Sequence, residues 1–205
     1  MRIFLDIGAW NGDTTLLVLK SKHEFDKIYC FEPQLNLCEE IRKIDNPKIV
    51  VEEFGLWNKN CKTPVYMYAN KRGRKNDGAS VYEDKIPVEK KSVEVRMVKA
   101  SEWFANNIND DDFVVLKMNC EGAECDILDD LMDSGEFSKV DALLVDFDVR
   151  KIPSQRHREV ELMERLLKCN IPMYICGRND QFAFRENVWI HGLDMIFKGD
   201  LLENK

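Results

Sequence analysis

Short apolar runs alternate with stretches of helical periodicity along most of the chain. In the first half, the runs and helix-patterned stretches are, in order, RIFLDI, 14–22, KIYCF, 35–44 and KIVVEE. In the second half they are FVVLKM, about 123–132, ALLVDF and about 156–169. This order is that of repeated βαβ units, in which helices connect parallel strands.

The central apolar runs lack an alternation of apolar and polar residues. This holds for residues 113–118 and 142–147, and it is typical of strands that helices cover on both faces. We therefore predict an α/β fold with a mostly parallel sheet between two helical layers. Near the carboxyl end, PMYIC predicts one more parallel strand, and NVWIHG with DMIF predicts an antiparallel hairpin at the sheet edge.

An interruption separates the two halves. TPVYMYA and SVEVRMV predict two further strands on either side of the polar segment NKRGRKNDGAS. We treat residues 1–205 as a single domain with an insertion, or lid, at about 62–99. The basic residues Lys71, Arg72, Arg74 and Lys75 leave two interpretations open: a solvated loop, or a lid that attracts an anionic acceptor.

Composition restricts the class of protein. The 205 residues are 44% hydrophobic, enough for one sizeable core, and the net charge of -7 disfavours a protein that coats nucleic acid. The seven cysteines form no C-x-x-C pair and are expected to be reduced thiols. Arg2 and Asp6 interrupt the first apolar run, and no run approaches the roughly 20 residues of a membrane span. We therefore expect a cytoplasmic protein.

The first candidate site is the segment FLDIGAWNGDTT. Gly8 follows the first strand directly, where a glycine allows close approach of the backbone to a ligand. The spacing from Gly8 to Gly12 is G-x-x-x-G, so the segment lacks the G-x-G-x-x-G of dinucleotide sites and the G-x-x-x-x-G-K-[ST] of nucleoside triphosphate sites. Asp13 and Thr14 are expected at the start of the following helix, where they suit its positive end.

A second candidate lies at the end of the second strand, in YCFEP. Glu32 follows the glycine segment by about 20 residues, the position at which a carboxylate accepts hydrogen bonds from both ribose hydroxyls. In a doubly wound sheet, ligands bind past the carboxyl ends of the strands. Together, Gly8 and Glu32 predict a site for a ligand that carries a nucleoside.

The candidate catalytic residues lie in two segments, LKMNCEGAECDIL and VDFDVRK. Lys117, Asn119 and Glu121 alternate along an extended run and are expected to share one face. A lysine at the end of an apolar strand is costly to bury unless it is paired, and we expect Glu121 or Asp146 as its partner. Asp146 and Asp148 are alternative candidates for a general base.

The same residues raise the question of a metal site. Glu121, Asp146 and Asp148 are oxygen donors of the kind that Mg²⁺ accepts, whereas Asn119 is neutral and weakens such a site. The chain offers no set of His or Cys ligands. We therefore predict no metal.

Four segments together resemble the FkbM-type family of S-adenosylmethionine-dependent methyltransferases: DIGAWNGDTT, FEP, GLWN and LKMNCEGAECDIL. The resemblance implies a Rossmann-like class I methyltransferase fold, with a seven-stranded, mostly parallel sheet and an antiparallel edge strand. It implies S-adenosylmethionine as cofactor and S-adenosylhomocysteine as product. The chain departs from the family at two positions. Trp10 stands where the family often has Asn or another aromatic residue, and Asn119 stands where the family has Asp.

The resemblance also implies which residues bind the cofactor. Those expected beside its methionine part are Asp6, Gly8, Ala9 and Asn11. Glu32 is expected at the ribose, Gly55 with Leu56 at the adenine, and Ser80 at the closure of the pocket. The remaining members of the predicted cofactor set are Thr14, Pro33, Asn119 and Glu121.

The function that the resemblance implies is O-methylation of a hydroxyl on a sugar, a glycan or a related natural product. Lys117, Asp146 and Asp148 are the candidates for acceptor positioning and deprotonation. Two alternatives stay open: methylation of an RNA ribose 2′-hydroxyl, which Asn119 and the acidic charge disfavour, and a catalytically silent adenosyl-binding module. An oxidoreductase is the least favoured. We expect a carbohydrate-like acceptor and neither a membrane nor a nucleic-acid partner, and the oligomeric state stays open.

Overall fold

The computed structural model describes residues 1–68, 78–176 and 188–198. The strands in these ranges are β1 (Arg2–Ile7), β2 (Lys27–Phe31), β3 (Ile49–Glu52), β4 (Gly55–Trp57), β5 (Cys61–Tyr68), β6 (Val88–Lys99), β7 (Phe113–Met118), β8 (Ala142–Val145) and β9 (Met173–Ile175). The α-helices are α1 (Asp13–Lys20), α2 (Leu35–Arg42), α3 (Ala100–Asn107), α4 (Glu124–Ser134), α5 (Arg158–Lys168) and α6 (Val188–Lys198). Two short 3-10 helices span Glu136–Lys139 and Asp148–Lys151.

Six parallel strands form the central sheet, in the order β3-β2-β1-β7-β8-β9. The order of the chain reverses between β1 and β7, and at such a reversal the connecting segments diverge and leave a crevice past the strand ends. In the register of this pair, Asp6 lies opposite Lys117 and Ile7 opposite Met118. The predicted α/β fold with a mostly parallel sheet is confirmed.

The core lies on both faces of this sheet. Because side chains alternate along a strand, Ile3, Leu5 and Ile7 of β1 pack on the face covered by α3, α4 and α5, whereas Phe4 packs on the face covered by α1 and α6. β1 and β7 are buried over nearly their whole length. Their continuous apolar character is therefore explained by helices on both sides.

The prediction of a seventh, antiparallel strand at the sheet edge is wrong for the described part of the chain. The segments NVWIHG and DMIF, predicted as a hairpin, lie in α6 where they are described. Its buried residues are Val188, Trp189, Gly192, Leu193 and Ile196, which is helical spacing. Gly192 is a site of close packing rather than a turn, since a Cβ there would lie 2.6 Å from the Tyr174 ring and 2.7 Å from Leu144.

The strands predicted within the insertion form a second, smaller sheet. β5 and β6 pair antiparallel, and β4 pairs parallel with β6, giving the order β4-β6-β5. Ser80, in the described range that begins at residue 78, pairs with Tyr66 of β5 through backbone hydrogen bonds of 2.7 and 2.9 Å. The basic residues Lys71, Arg72, Arg74 and Lys75 lie outside the described residues.

Candidate functional site

A cavity of about 310 Å³ lies where the carboxyl ends of β1, β2 and β7 meet the small sheet. This volume is at the lower end of the range typical of small-molecule sites, about 300–1,000 Å³. Its lining residues are Ile7, Gly8, Trp10, Phe31, Glu32, Pro33, Gln34, Gly55, Leu56, Val65, Gly78, Ala79, Val81, Met97, Asn119, Cys120, Glu121 and Ala123.

The tips of β1 and β7 approach so closely that only glycine fits at position 8. Gly8 has φ of 75°, and a Cβ there would lie 2.1 Å from the carbonyl oxygen of Asn119. Backbone hydrogen bonds join the tips: Asn119 donates to Ile7 at 3.0 Å, and Gly8 donates to Phe31 at 3.1 Å. The glycine therefore brings three strand ends together around the cavity.

Glu32 presents its carboxyl group on the β2 side of the cavity. Its Oε2 accepts from the Trp10 backbone N–H at 3.1 Å, and its Oε1 accepts from the Gln34 backbone N–H at 2.9 Å. Burial raises its pKa to about 7, although these backbone hydrogen bonds oppose the shift. Each oxygen of an ionised carboxylate has a further lone pair, so Glu32 can also accept from ligand hydroxyls.

Two buried polar atoms of cavity-lining residues have no hydrogen-bond partner within the described ranges. They are the donor Nε1 of Trp10 and the acceptor Oδ1 of Asn119. Buried polar groups are almost always hydrogen-bonded in native proteins. Trp10 also has φ of 52°, a left-handed conformation that is uncommon for a non-glycine residue and is often found at functional sites. These features fit a cavity that is completed by a polar ligand.

Glu121 lies on the β7 side of the cavity, within a cluster of acidic and basic side chains. Like Trp10, Glu121 has a left-handed backbone conformation, with φ of 59°. Its Oε2 is hydrogen-bonded to Nζ of Lys85, which also donates to the carbonyl of Gly78 at 2.9 Å. The carboxyl group of Asp148 is a further neighbour that affects its charge, and Asp148 forms an ion pair with Lys151 at 2.6 Å. Lys85 and Asp148 are both buried.

The pKa values of Glu121 and Asp148 are shifted in opposite directions. Burial and the neighbouring Asp148 carboxyl group raise the pKa of Glu121, and Lys85 opposes that shift. Burial opposes ionisation of Asp148, but the neighbouring Glu121 carboxyl group and the hydrogen bond from Lys151 hold its pKa below the usual value. Glu121 is therefore the member of the pair that holds a proton more readily.

Residues 78–87 of the insertion are held against the site by side-chain hydrogen bonds. Ser80 Oγ donates to the carbonyl of Glu121 at 2.7 Å, and the Tyr82 hydroxyl is hydrogen-bonded to Asp126. Asp126 also accepts from Trp57 Nε1 at 2.8 Å and from Arg158 at 2.7 Å. Asp126 thereby links β4, α4, α5 and the insertion.

Seven of the predicted cofactor residues line the cavity: Gly8, Glu32, Pro33, Gly55, Leu56, Asn119 and Glu121. The predicted cofactor residues outside the lining are Asp6, Ala9, Asn11, Thr14 and Ser80. The predicted catalytic residues Lys117, Asp146 and Asp148 are outside the lining as well. Sequence reasoning did not assign a cofactor or catalytic role to several lining residues, among them Phe31, Gln34, Val65, Ala79, Val81, Met97 and Cys120.

Lys117 and Asp6 are paired with each other beneath the cavity. Lys117 Nζ lies 2.7 Å from Asp6 Oδ1 and donates to the carbonyl of Gly8 at 3.1 Å. Thr15 donates to the second Asp6 oxygen at 2.9 Å, and the Trp189 ring centroid lies 5.2 Å from Nζ. The expectation that Glu121 or Asp146 pairs with Lys117 is wrong, because Asp6 and Lys117 face the α1 and α6 side of the sheet.

Three of the other predicted residues outside the lining, Asp146, Asn11 and Ala9, have their own partners. Asp146 forms an ion pair with Arg150 at 3.0 Å. Asn11 exchanges hydrogen bonds with Asp13 at the start of α1, and the Ala9 backbone N–H donates to Phe31. Thr14 is partly exposed, and its neighbour Thr15 is the threonine that contacts Asp6.

The described residues contain neither a membrane-spanning helix nor a cluster of metal-binding side chains. None of the helices there has both the length and the apolar character needed to cross a bilayer. No group of three or more His, Cys, Asp or Glu side chains in the same ranges is arranged to hold a metal ion.

Comparisons with known proteins identify the family. The model of the Methyltransferase FkbM domain matches residues 6–173. A comparison with curated proteins finds no match. The crystal structure of a methyltransferase FkbM from Methylobacillus flagellatus KT has a TM-score of 0.48 and 15% sequence identity, and the match covers 82% of this chain and 38% of that one. The family match spans most of the chain and includes every segment on which the resemblance was based, so the chain belongs to the FkbM methyltransferase family.

Proposed function

We propose that the protein is an S-adenosylmethionine-dependent O-methyltransferase that acts on a hydroxyl of a sugar, a glycan or a related natural product. One observation carries the cofactor assignment: Glu32 and Gly8 border a single cavity with Gly55 and Leu56. A buried carboxylate beside a glycine-ended strand suits an adenosine ribose.

The lining residues fit the parts of this cofactor. Glu32 offers free lone pairs to the ribose hydroxyls, and Leu56, Val65 and Met97 give an apolar surface for the adenine. Trp10 Nε1 and Asn119 Oδ1 supply a donor and an acceptor without partners in the described structure, as the polar methionine end requires. The position of Gly8 keeps the backbone close to the ligand.

When bound, the cofactor supplies an electrophilic methyl group on a sulfonium. The chain must then orient the acceptor hydroxyl and accept its proton. Orientation alone can supply about 7–11 kcal/mol of the barrier. A base placed within hydrogen-bonding distance of the hydroxyl adds about 10²- to 10⁴-fold.

A sugar-like acceptor is supported by the family resemblance and by hydrogen-bonding side chains on the cavity lining, namely Gln34, Asn119 and Glu121. Methylation of an RNA ribose is less well supported. That hypothesis rested on Lys117 as a residue of the active site, and Lys117 is buried against Asp6. The net charge of -7 also disfavours a phosphate backbone as partner.

Calorimetric titration with S-adenosylmethionine, S-adenosylhomocysteine and NAD tests the cofactor. We expect both adenosyl compounds to bind and NAD not to bind. Glu32→Gln should weaken adenosyl binding at least tenfold, since one hydroxyl acceptor is lost, and Glu39→Gln on the exposed side of α2 should not. Binding of NAD without the adenosyl compounds would overturn the proposal.

Transfer of a labelled methyl group to a panel of sugars, glycans and RNA tests the acceptor. Product on a carbohydrate hydroxyl supports the proposal, and product on RNA alone supports the ribose alternative. Cofactor binding with no transfer to any panel member would favour a silent adenosyl-binding module.

A further inference from the structure

We propose that Glu121 takes the proton from the acceptor hydroxyl, and that Lys85 and Asp148 position its carboxyl group and control its charge. This inference rests on the proposed function. It assigns the base to a residue that the sequence placed in the cofactor set, and it gives a role to Lys85, for which the sequence offered none.

The position of Glu121 relative to Glu32 places it near the reacting end of the cavity. Glu32 follows β2 and Glu121 follows β7, with β1 between them. Neighbouring strands are about 4.8 Å apart, so the two strand tips are separated by about 10 Å. With the ribose at Glu32 and the adenine near Gly55, the sulfur of the cofactor extends toward the tips of β1 and β7.

The other candidate bases do not reach this place. Lys117 is buried in an ion pair with Asp6, and Asp146 pairs with Arg150 outside the cavity lining. Asp148 is buried behind Glu121 and bound by Lys151. Among the three carboxyl groups considered, Glu121 is the one with a surface in the cavity.

The surroundings of Glu121 come from four parts of the chain. Lys85 reaches it from the insertion, Asp148 and Lys151 from the 3-10 helix after β8, and Cys120 from its own loop. Glu124, at the start of α4, accepts hydrogen bonds from the backbone N–H groups on either side of Glu121. Lys85 and Lys151 favour the ionised carboxylate. Asp148 and burial favour the protonated form, so the net charge of Glu121 depends on the balance between them.

The proposed step is balanced without a further reactant. The acceptor oxygen forms a bond to the methyl carbon as the bond from that carbon to sulfur breaks, and the electron pair of the broken bond stays on sulfur. The hydroxyl proton passes to Glu121, which must therefore enter the step ionised. Solvent removes the proton before the next turnover.

This arrangement links the charge of Glu121 to the charge on sulfur. S-adenosylmethionine carries a sulfonium, whereas S-adenosylhomocysteine carries a neutral sulfide. A cation beside Glu121 favours its ionised form, and by reciprocity the ionised form favours the cation. The preference for S-adenosylmethionine over S-adenosylhomocysteine should therefore grow as the pH rises through the range in which Glu121 titrates.

Titration calorimetry with both compounds from pH 6 to pH 9.5 measures this preference without an acceptor. The amino group of the ligands also titrates in this range. The pH dependence measured for Glu121→Gln is therefore subtracted from that of the wild type. If the sulfonium lowers the pKa of Glu121 by about one unit, the wild-type preference should grow by up to about tenfold more than that of the variant. Glu83→Gln, on the exposed side of the insertion, should behave as wild type.

Two further variants separate positioning from simple structural damage, because they should move the pH profile in opposite directions. Asp148→Asn removes a negative neighbour, so the preference for S-adenosylmethionine should increase at a lower pH than in the wild type. Lys85→Met removes a cation, so the preference should increase at a higher pH. On any acceptor that the panel identifies, Glu121→Gln should lower kcat by about 10²- to 10⁴-fold.

The possible failures are distinguishable. If neither adenosyl compound binds the wild type, the proposed function fails and this inference fails with it. If both bind but the preference changes equally with pH in wild type and Glu121→Gln, the inference alone is overturned. It is also overturned if Glu121→Gln turns over at the wild-type rate.

Discussion

Nζ of Lys117 lies 2.7 Å from Oδ1 of Asp6, and both side chains are almost completely buried. Removing one partner of a buried pair leaves an uncompensated charge and typically costs about 3–5 kcal/mol. We therefore expect Lys117→Met to lower the free energy of unfolding by about that amount, as measured by urea denaturation.

The matched control for Lys117→Met is the double variant in which Asp6→Asn accompanies it. The amide still accepts from Thr15 but carries no charge, so the double variant should be more stable than Lys117→Met alone. If Lys117→Met folds with wild-type stability and loses only turnover, Lys117 is a catalytic residue after all.

Glu124 provides a test of pH dependence. Its Oε1 accepts from the backbone N–H groups of Cys120 and Gly122, both at 3.1 Å, and its Oε2 is buried without a partner in the described structure. Burial, with a contribution from Asp148, raises its pKa to about 7. A raised pKa means that the folded state binds the proton more tightly, so stability is lost as the pH rises from about 4.5 to about 7.

Glu124→Gln should remove this loss, because the amide keeps the oxygen acceptor and carries no charge. At pH 5 the variant and the wild type should have similar free energies of unfolding. At pH 8 the variant should be more stable, by about 1–3 kcal/mol. A variant that is less stable than wild type at pH 8 would show that the Glu124 carboxylate is stabilising.

Tyr82 tests whether hydrogen bonds hold the insertion against the site. Tyr82→Phe removes the hydroxyl that is hydrogen-bonded to Asp126, a charged group, and should lower the free energy of unfolding by about 1–3 kcal/mol. It should also speed hydrogen exchange of the Tyr82 amide, whose partner is Ser80 Oγ at 3.2 Å. Unchanged exchange would mean that backbone pairing with β5 suffices to hold residues 78–87.

Trp10 tests whether the cavity is completed by a ligand. Trp10→Phe removes an indole N–H that has no partner in the described structure, so the free protein should lose little hydrogen-bonding energy. If Nε1 binds the cofactor, the affinity for S-adenosylhomocysteine should fall by about three- to tenfold. Equal affinity would show that the indole N–H does not contact the ligand.

The elements at which the site is built were predictable because their signals are local. Gly8 and Glu32 end apolar strands in a βαβ order, and parallel strands bring their carboxyl ends to one edge. The face on which a side chain lies was harder to assign. Asp6 is adjacent to Ile7, yet it points to the opposite side of the sheet, where its partner Lys117 occupies the equivalent position of β7.

The contribution of the insertion was beyond the reach of sequence patterns. Lys85 is 36 residues from Glu121, and its segment has no periodicity that marks it as buried. Helix α6 was not predicted, for a different reason. Gly192 has the composition of a turn, but it lies where α6 must approach Tyr174 closely.

A crystal structure of the protein with S-adenosylhomocysteine tests the central claim most directly. We predict an adenosyl group in the 310 Å³ cavity, with its ribose hydroxyls on the Glu32 carboxylate and its sulfur toward Asn119 and Glu121. Density for the ligand at any other place, or a ribose that makes no contact with Glu32, would contradict the account.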